Sequence, residues 1–146
     1  MKRYSKQVQI RWSDIDQNRH LRHSVYYDFG AFIRIAFLTE QGLTAAKMEE
    51  LKVGPIIFRE EAIFKKEIRP EDFIEMDVEL LKSTPDFSRW SLRHHLKKAD
   101  GTIAAILNLD GAWIDIEKRK LTVPGEIIRN AFEHFPKSEE YTPIKK

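Results

Sequence analysis

The chemically loaded part of the chain is one run near its start, Arg11-Trp12-Ser13-Asp14-Ile15-Asp16-Gln17-Asn18-Arg19-His20-Leu21-Arg22-His23-Ser24-Val25-Tyr26-Tyr27. Two carboxylates, Asp14 and Asp16, and two imidazoles, His20 and His23, fall between a stretch that alternates like a strand and one that reads as a helix. A helix start offers unpaired backbone N–H groups and the positive end of a dipole, which suits a developing oxyanion. A carboxylate a few residues upstream can lie beside that point. Together they supply what cleavage of a thioester needs, since one group polarises the carbonyl and the other attacks it or activates water.

Each of these residues also has a plainer reading. A carboxylate just before a helix is more often a cap or turn residue than a catalyst, and Asp14 fits that description well. His20 can position Asp16, touch the substrate or stabilise the turn. His23 offers its backbone N–H whatever its ring does. Tyr26 and Tyr27 are read either as core packing or as substrate contacts. Glu60 interrupts an otherwise apolar strand face, so it marks a strand end, a subunit contact or a second polar group facing the pocket.

The elements that must hold this run can be read from periodicity. Tyr4 to Trp12 alternates, with Val8, Ile10 and Trp12 on one face, and predicts a half-buried strand. Ser24 is a plausible helix cap, Val25 to Glu40 reads as helix, and Gly42 ends it. That helix is apolar nearly all round, with Phe29, Phe32, Ile33, Ile35, Ala36, Phe37 and Leu38 about a single polar Arg34. Such a helix belongs inside something. Ile56 to Ile68, Ile74 to Leu80 and Trp90 to Leu96 then read as strands, and Asp100-Gly101 as a hairpin turn. Thr102 to Ile116 predicts a long strand, apolar on both faces from Ile103 to Leu109, and Pro124 opens a short closing helix. A mainly antiparallel sheet curled round the helix satisfies this order, an α+β arrangement. One domain spans 1–136, and 137–146 is expected to be a loose tail.

Composition excludes other classes. Hydrophobic residues are 42% of the 146, with nine Phe and three Trp, enough to build a core. The net charge of +2 is too small to argue for nucleic acid. No apolar run is long enough for a membrane span or a signal peptide. Cysteine is absent, which fits a reducing cytoplasm and removes thiolate metal sites and a Cys nucleophile. The pair His94-His95 places one ring on each strand face, so no metal and no cofactor is expected.

At Arg11, Trp12, Ser13, Asp14, Asp16, His20, Leu21 and Tyr26 the sequence resembles the 4-hydroxybenzoyl-CoA thioesterase family, particularly its acyl-CoA and acyl-carrier-protein thioesterase branch. Further resemblance lies at Ile68-Arg69-Pro70, at Asp72, and from Trp113-Ile114-Asp115-Ile116 to Pro124. The resemblance implies a hotdog fold, with a five-stranded antiparallel sheet around one long helix. It also implies a homodimer or homotetramer, and an acyl-CoA or acyl-carrier-protein substrate. By the same resemblance Asp16 is the catalytic carboxylate, and the oxyanion donor is a backbone N–H near His23. Three departures from the family pattern stand out. Arg19 stands where Gly is usual, His23 where Asn is common, and Ala31 and Phe32 replace an acidic pair on the helix. Asp16 therefore has no helix carboxylate to share its task.

Two rivals are considered. Hotdog hydratases resemble one another in an Asp-x-Asn-Pro-x-His signature, whereas Asp16-Gln17-Asn18-Arg19-His20 lacks the Pro and is one residue shorter. A non-catalytic acyl-binding domain would keep the fold without needing Asp14, Asp16 and His20 together. Unpaired sheet edges and the doubly apolar strand also lead us to expect association with a second subunit.

Overall fold

The computed structural model describes residues 3–145. Strand β1 (Ser5–Val8) leads through a 3-10 turn at Trp12–Asp14 to helix α1 (His23–Glu40) and a short helix α2 (Ala45–Leu51). Four strands follow: β2 (Val53–Phe64), β3 (Ile74–Asp77), β4 (Glu79–Ser83) and β5 (Arg89–Lys98). The chain then forms β6 (Ile103–Asp115), β7 (Lys120–Leu121), α3 (Glu126–Glu133) and β8 (Lys137–Pro143). Only Val78 separates β3 from β4, and both pair antiparallel with β5, so they act as one interrupted strand. Taken this way the main sheet has five members in the order β1, β3/β4, β5, β6, β2. β7 clips onto the end of β6, and β8 lies parallel to β4.

Period-two patterning places the core. Ile74, Met76, Val78 and Leu80 share the buried face with Trp90, Leu92, His94 and Leu96. Val25, Tyr26, Phe29, Ile33 and Phe37 of α1 belong to the same core cluster. Helix α3 closes the open end with aromatic rings. Phe132 meets Trp113 edge-on at 5.4 Å, and Phe135 stacks on Phe37 at 4.1 Å. Gly111 is held glycine by this packing. A methyl group there would run into the Trp90 ring and come within 2.6 Å of the Ile56 carbonyl oxygen. Alanine usually improves a strand interior over glycine, but here Gly111→Ala should cost about 1–3 kcal/mol, read as a lower urea midpoint.

Several expectations are corrected. β1 ends at Val8, and Trp12 lies in the 3-10 turn with 91% of its surface exposed instead of sharing a buried strand face. The cap of α1 is Arg22, not Ser24, which sits in the first turn. Helix α2 was not anticipated: Thr44 caps it by accepting from the Lys47 N–H (3.1 Å), and Lys52 ends it in the left-handed region at φ 58°. Helix α1 buries only one side in a single chain, leaving Phe32 and Ile35 about half exposed. The outer face of β6 is less apolar than expected, because Asn108 and Asp110 project there and pair with Arg93 and Ser91. The stretch expected to be a loose tail contains β8. The Ser83 hydroxyl shares a hydrogen bond with the Tyr141 hydroxyl (2.8 Å), and the Ile144 N–H donates to the Ser83 carbonyl (2.8 Å). Main-chain bonds to an unpaired strand edge order that segment despite its polar sequence.

Candidate active site

Residues 15–21 fold back on themselves. Ile15 and Leu21 form an isolated antiparallel bridge. Between them the Asp16 N–H donates to the His20 carbonyl (2.9 Å), and the Arg19 N–H donates to the Asp16 carbonyl (3.0 Å). Asp16 Oδ1 accepts from the backbone N–H of Asn18 (2.9 Å) and of His20 (3.2 Å). Asp16 is therefore a turn former, as the plainer reading has it, but only through one oxygen. Its Oδ2 takes no hydrogen bond from the described residues. Arg19 adopts φ 64° at the position where the resembling family has Gly, a backbone region costing a side-chain-bearing residue about 1 kcal/mol.

The loop is stapled at its far end. The Leu21 N–H donates to the Ile68 carbonyl (2.7 Å), and the His20 ring pairs through Nε2 with Glu67 (2.9 Å). His20 therefore positions Asp16 with its backbone N–H, while its ring faces Glu67.

Helix α1 starts beside this loop without a side-chain cap. Its N-cap residue is Arg22, whose guanidinium only donates and is committed to the Ser13 carbonyl (3.0 Å) and Ser24 Oγ (3.1 Å). Among the described residues the first-turn N–H groups of His23 and Ser24 meet no acceptor, and they are left for an outside one.

Two basins meet at this point. A larger one of about 800 Å³ is lined by Trp12, Ile15, Asp16, Asn18, Arg19, His20, Arg69, Pro70 and Glu71. A smaller one of about 360 Å³ is lined by Asp16, His20, Leu21, His23, Tyr26, Phe64, Lys65, Lys66 and Glu67. Asp16 and His20 line both. Tyr26 stacks edge-on against Phe64 at 4.8 Å, and burial, aided by the Asp16 charge, pushes its hydroxyl up to about 12. Tyr26 is accordingly a neutral group that can donate a hydrogen bond.

Asp16, His20, His23 and Tyr26 are thus brought together. Asp14, Tyr27 and Glu60 do not line either basin. Asp14 is fully buried behind the 3-10 turn, where Arg11 grips it through Nη2 (2.9 Å) and its backbone N–H (2.9 Å). Those bonds, the side-chain one foremost, hold its carboxyl below the usual range. Tyr27 packs against the core cluster. Glu60 turns inward toward Arg34 (3.7 Å), whose Nη1 also meets His94 Nε2 at 2.9 Å. Burial, the larger influence, pushes the Glu60 carboxyl up despite that neighbour. Sequence reading missed Glu67 and the two arginines of the larger basin, Arg19 and Arg69, as site residues. Glu67 directly precedes the Ile68-Arg69-Pro70 segment that carries part of the resemblance, which was the available signal.

Fold and site together define a hotdog protein with a carboxylate at the start of its central helix. The profile of the thioesterase-like superfamily matches residues 10–132, and the chain belongs to that superfamily. Solved structures agree on the fold. A hypothetical protein from Staphylococcus aureus, determined in complex with CoA, is 19% identical; the match covers 99% of this chain and 89% of that one at a TM-score of 0.84. A DHNA-CoA thioesterase from the same organism is 15% identical, with 91% and 90% covered and a TM-score of 0.81. A 1,4-dihydroxy-2-naphthoyl-CoA thioesterase from Synechocystis is 10% identical, with 91% and 97% covered and a TM-score of 0.81. No curated protein matches the sequence significantly. Among the described residues, no helix is long and apolar enough to cross a membrane.

Proposed function

We propose that this chain hydrolyses acyl thioesters of coenzyme A or an acyl carrier protein, with Asp16 as the reacting carboxylate. The observation that carries this reading is the free Asp16 Oδ2 in a basin beside an uncapped helix start. The acyl carbonyl oxygen docks on the His23 and Ser24 N–H groups, which face the charge that develops there in the transition state. Asp16 attacks the carbonyl carbon and expels the thiolate to give an anhydride that water then cleaves to the free acid, or it takes a proton from a water that attacks the carbonyl carbon and expels the thiolate. Tyr26 and Phe64 form the apolar wall for the acyl group, and Arg19 and Arg69 offer positive charge to the nucleotide. A thiol-release assay over a panel of acyl-CoA esters tests this, and absence of turnover on every member would leave the non-catalytic acyl-binding reading in its place. The chain's lack of cysteine fits work in a reducing cytoplasm.

The working unit of this proposal is a homodimer or homotetramer with shared pockets. Among the described residues β2 pairs with β6 alone, so its other edge is open, and it exposes Ile57, Phe58, Ile63 and Phe64. A long apolar strand edge of this kind calls for a partner. Dilution should reduce specific activity over the concentration range in which the oligomer dissociates. Sedimentation and rates measured on one dilution series check this, and a fully active monomer would refute the shared pocket. Hydrolysis should also survive exhaustive chelation by EDTA, because among the described residues no group of three metal ligands lines the basin. Loss of turnover restored by an added divalent ion would contradict the mechanism.

A further inference from the structure

We propose that Asp77, Glu79 and His95 form a binding site for one transition-metal dication of the zinc class, on the outer face of the sheet and apart from the acyl basin. His95 Nδ1 lies 2.9 Å from Asp77 Oδ2 and 3.8 Å from Glu79 Oε1. One ligand atom from each residue falls within 4.8 Å of the other two. Zinc takes nitrogen and oxygen ligands at roughly 2.0–2.2 Å, so tetrahedral ligands sit about 3.3 Å from one another. The observed separations bracket that value.

The set is prepared in other respects. All three residues stand on paired strands, which hold side chains more firmly than loops do. Asp77 Oδ1 accepts the His95 backbone N–H at 2.6 Å, which fixes the carboxylate and leaves Oδ2 turned toward the imidazole. The three side chains are 10%, 20% and 22% exposed for Asp77, Glu79 and His95. Glu79 accepts no hydrogen bond from the described residues, so both of its oxygens are open to a ligand. Two carboxylates pressed together with one imidazole between them are an arrangement that a bound dication relieves. The site opens into a cavity of about 310 Å³ walled on one side by Ser138, Glu139 and Glu140 of β8. That leaves room for a water in a fourth position.

Arg3, Arg93 and Lys97 also face this cavity. Arg93 is engaged by Asn108 (2.7 Å) and Glu140 (3.2 Å). These cations weaken the attraction for any dication alike, and the imidazole nitrogen favours a zinc-class ion over Mg²⁺ or Ca²⁺, which prefer oxygen. The sequence reading looked for histidines at ligand spacing. It could not find this set, because β3/β4 and β5 bring the residues together across the sheet.

Calorimetric titration of the chelator-treated full chain with Zn²⁺, and separately with Mg²⁺, tests the proposal. The expected result is one Zn²⁺ per chain, no comparable Mg²⁺ binding, and a higher Tm with Zn²⁺ present. His95→Ala and Glu79→Gln should each weaken Zn²⁺ binding by about 100-fold or more, ligand loss being at least as costly as loss of a supporting contact. Glu79→Gln preserves side-chain shape, and circular dichroism verifies that it folds. No stoichiometric Zn²⁺ binding would overturn the proposal. So would binding that persists in both variants, which would place the ion elsewhere.

Discussion

Asp16→Asn should lower turnover about 10²- to 10⁴-fold, the usual worth of a general base or more, with the fold intact. The amide oxygen of Asn can still accept the Asn18 and His20 N–H groups that Asp16 Oδ1 holds, so the turn survives. What disappears is the charge and basicity of Oδ2. Thiol release gives kcat, and a urea titration of the same sample separates chemistry from stability. A variant that works at the wild-type rate would remove Asp16 from the mechanism. Asp14→Asn should show the reverse profile. It sits buried under Arg11 and lines neither basin, so its loss costs about 1–3 kcal/mol of stability through broken charge-assisted bonds and little in the chemical step. If the two variants rank the other way, Asp14 is the reacting group.

Acid should destabilise the fold from about pH 6.5 downward because of His94. This ring is fully buried, donates from Nδ1 to the Asp77 carbonyl (2.9 Å) and accepts at Nε2 from Arg34 (2.9 Å). Burial foremost, with the Arg34 charge behind it, pushes its pKa from 6.5 to about 3. Between those values the unfolded chain binds a proton that the folded chain refuses, so stability falls as pH falls. A difference of this size corresponds to roughly 4–5 kcal/mol by pH 3. Asp14 adds to the loss below the carboxylate range, since its pairing with Arg11 is also lost on protonation. Glu60 and Glu79 oppose it, because carboxyls raised by burial favour the fold when protonated. Comparing urea midpoints of wild type and His94→Gln from pH 7 to 3.5 isolates the imidazole. The variant should have a flatter profile, and parallel profiles would show that His94 does not govern the slope.

The sheet and helix were legible because their signals are local. Ile74 to Leu80 alternates without interruption, Asp100-Gly101 makes the hairpin it reads as, and Phe29, Ile33 and Phe37 line the buried side of α1. The surplus apolar residues Phe32 and Ile35 were read as buried, yet they are exposed in one chain. An apolar count does not say whether the cover comes from the same chain or another. β8 was illegible because Lys137-Ser138-Glu139-Glu140 carries no apolar alternation. Its order comes from main-chain partners on β4, which a side-chain pattern does not encode. At the site, Asp16 and the helix start were readable as neighbours in sequence. The pairing of His20 with Glu67 was not, since it joins two loops distant along the chain. Arg34, the lone polar residue mid-helix, is largely enclosed against His94 and Glu60, partners on two distant strands that its own segment does not reveal.

On the ribosome, the strand edge that β8 covers is made well before β8 itself. Leu80 pairs with Lys137, and at roughly 5–20 residues per second the β4 edge waits several seconds for its partner to be synthesised. During that interval its backbone groups stay open to other nascent chains. Lys82, exposed on β4, places a charge where such a chain would have to pair. Helix α3, with Phe132 and Phe135 following close on each other, arrives just ahead of β8. Closure of the core and closure of this edge are therefore consecutive events near the end of synthesis.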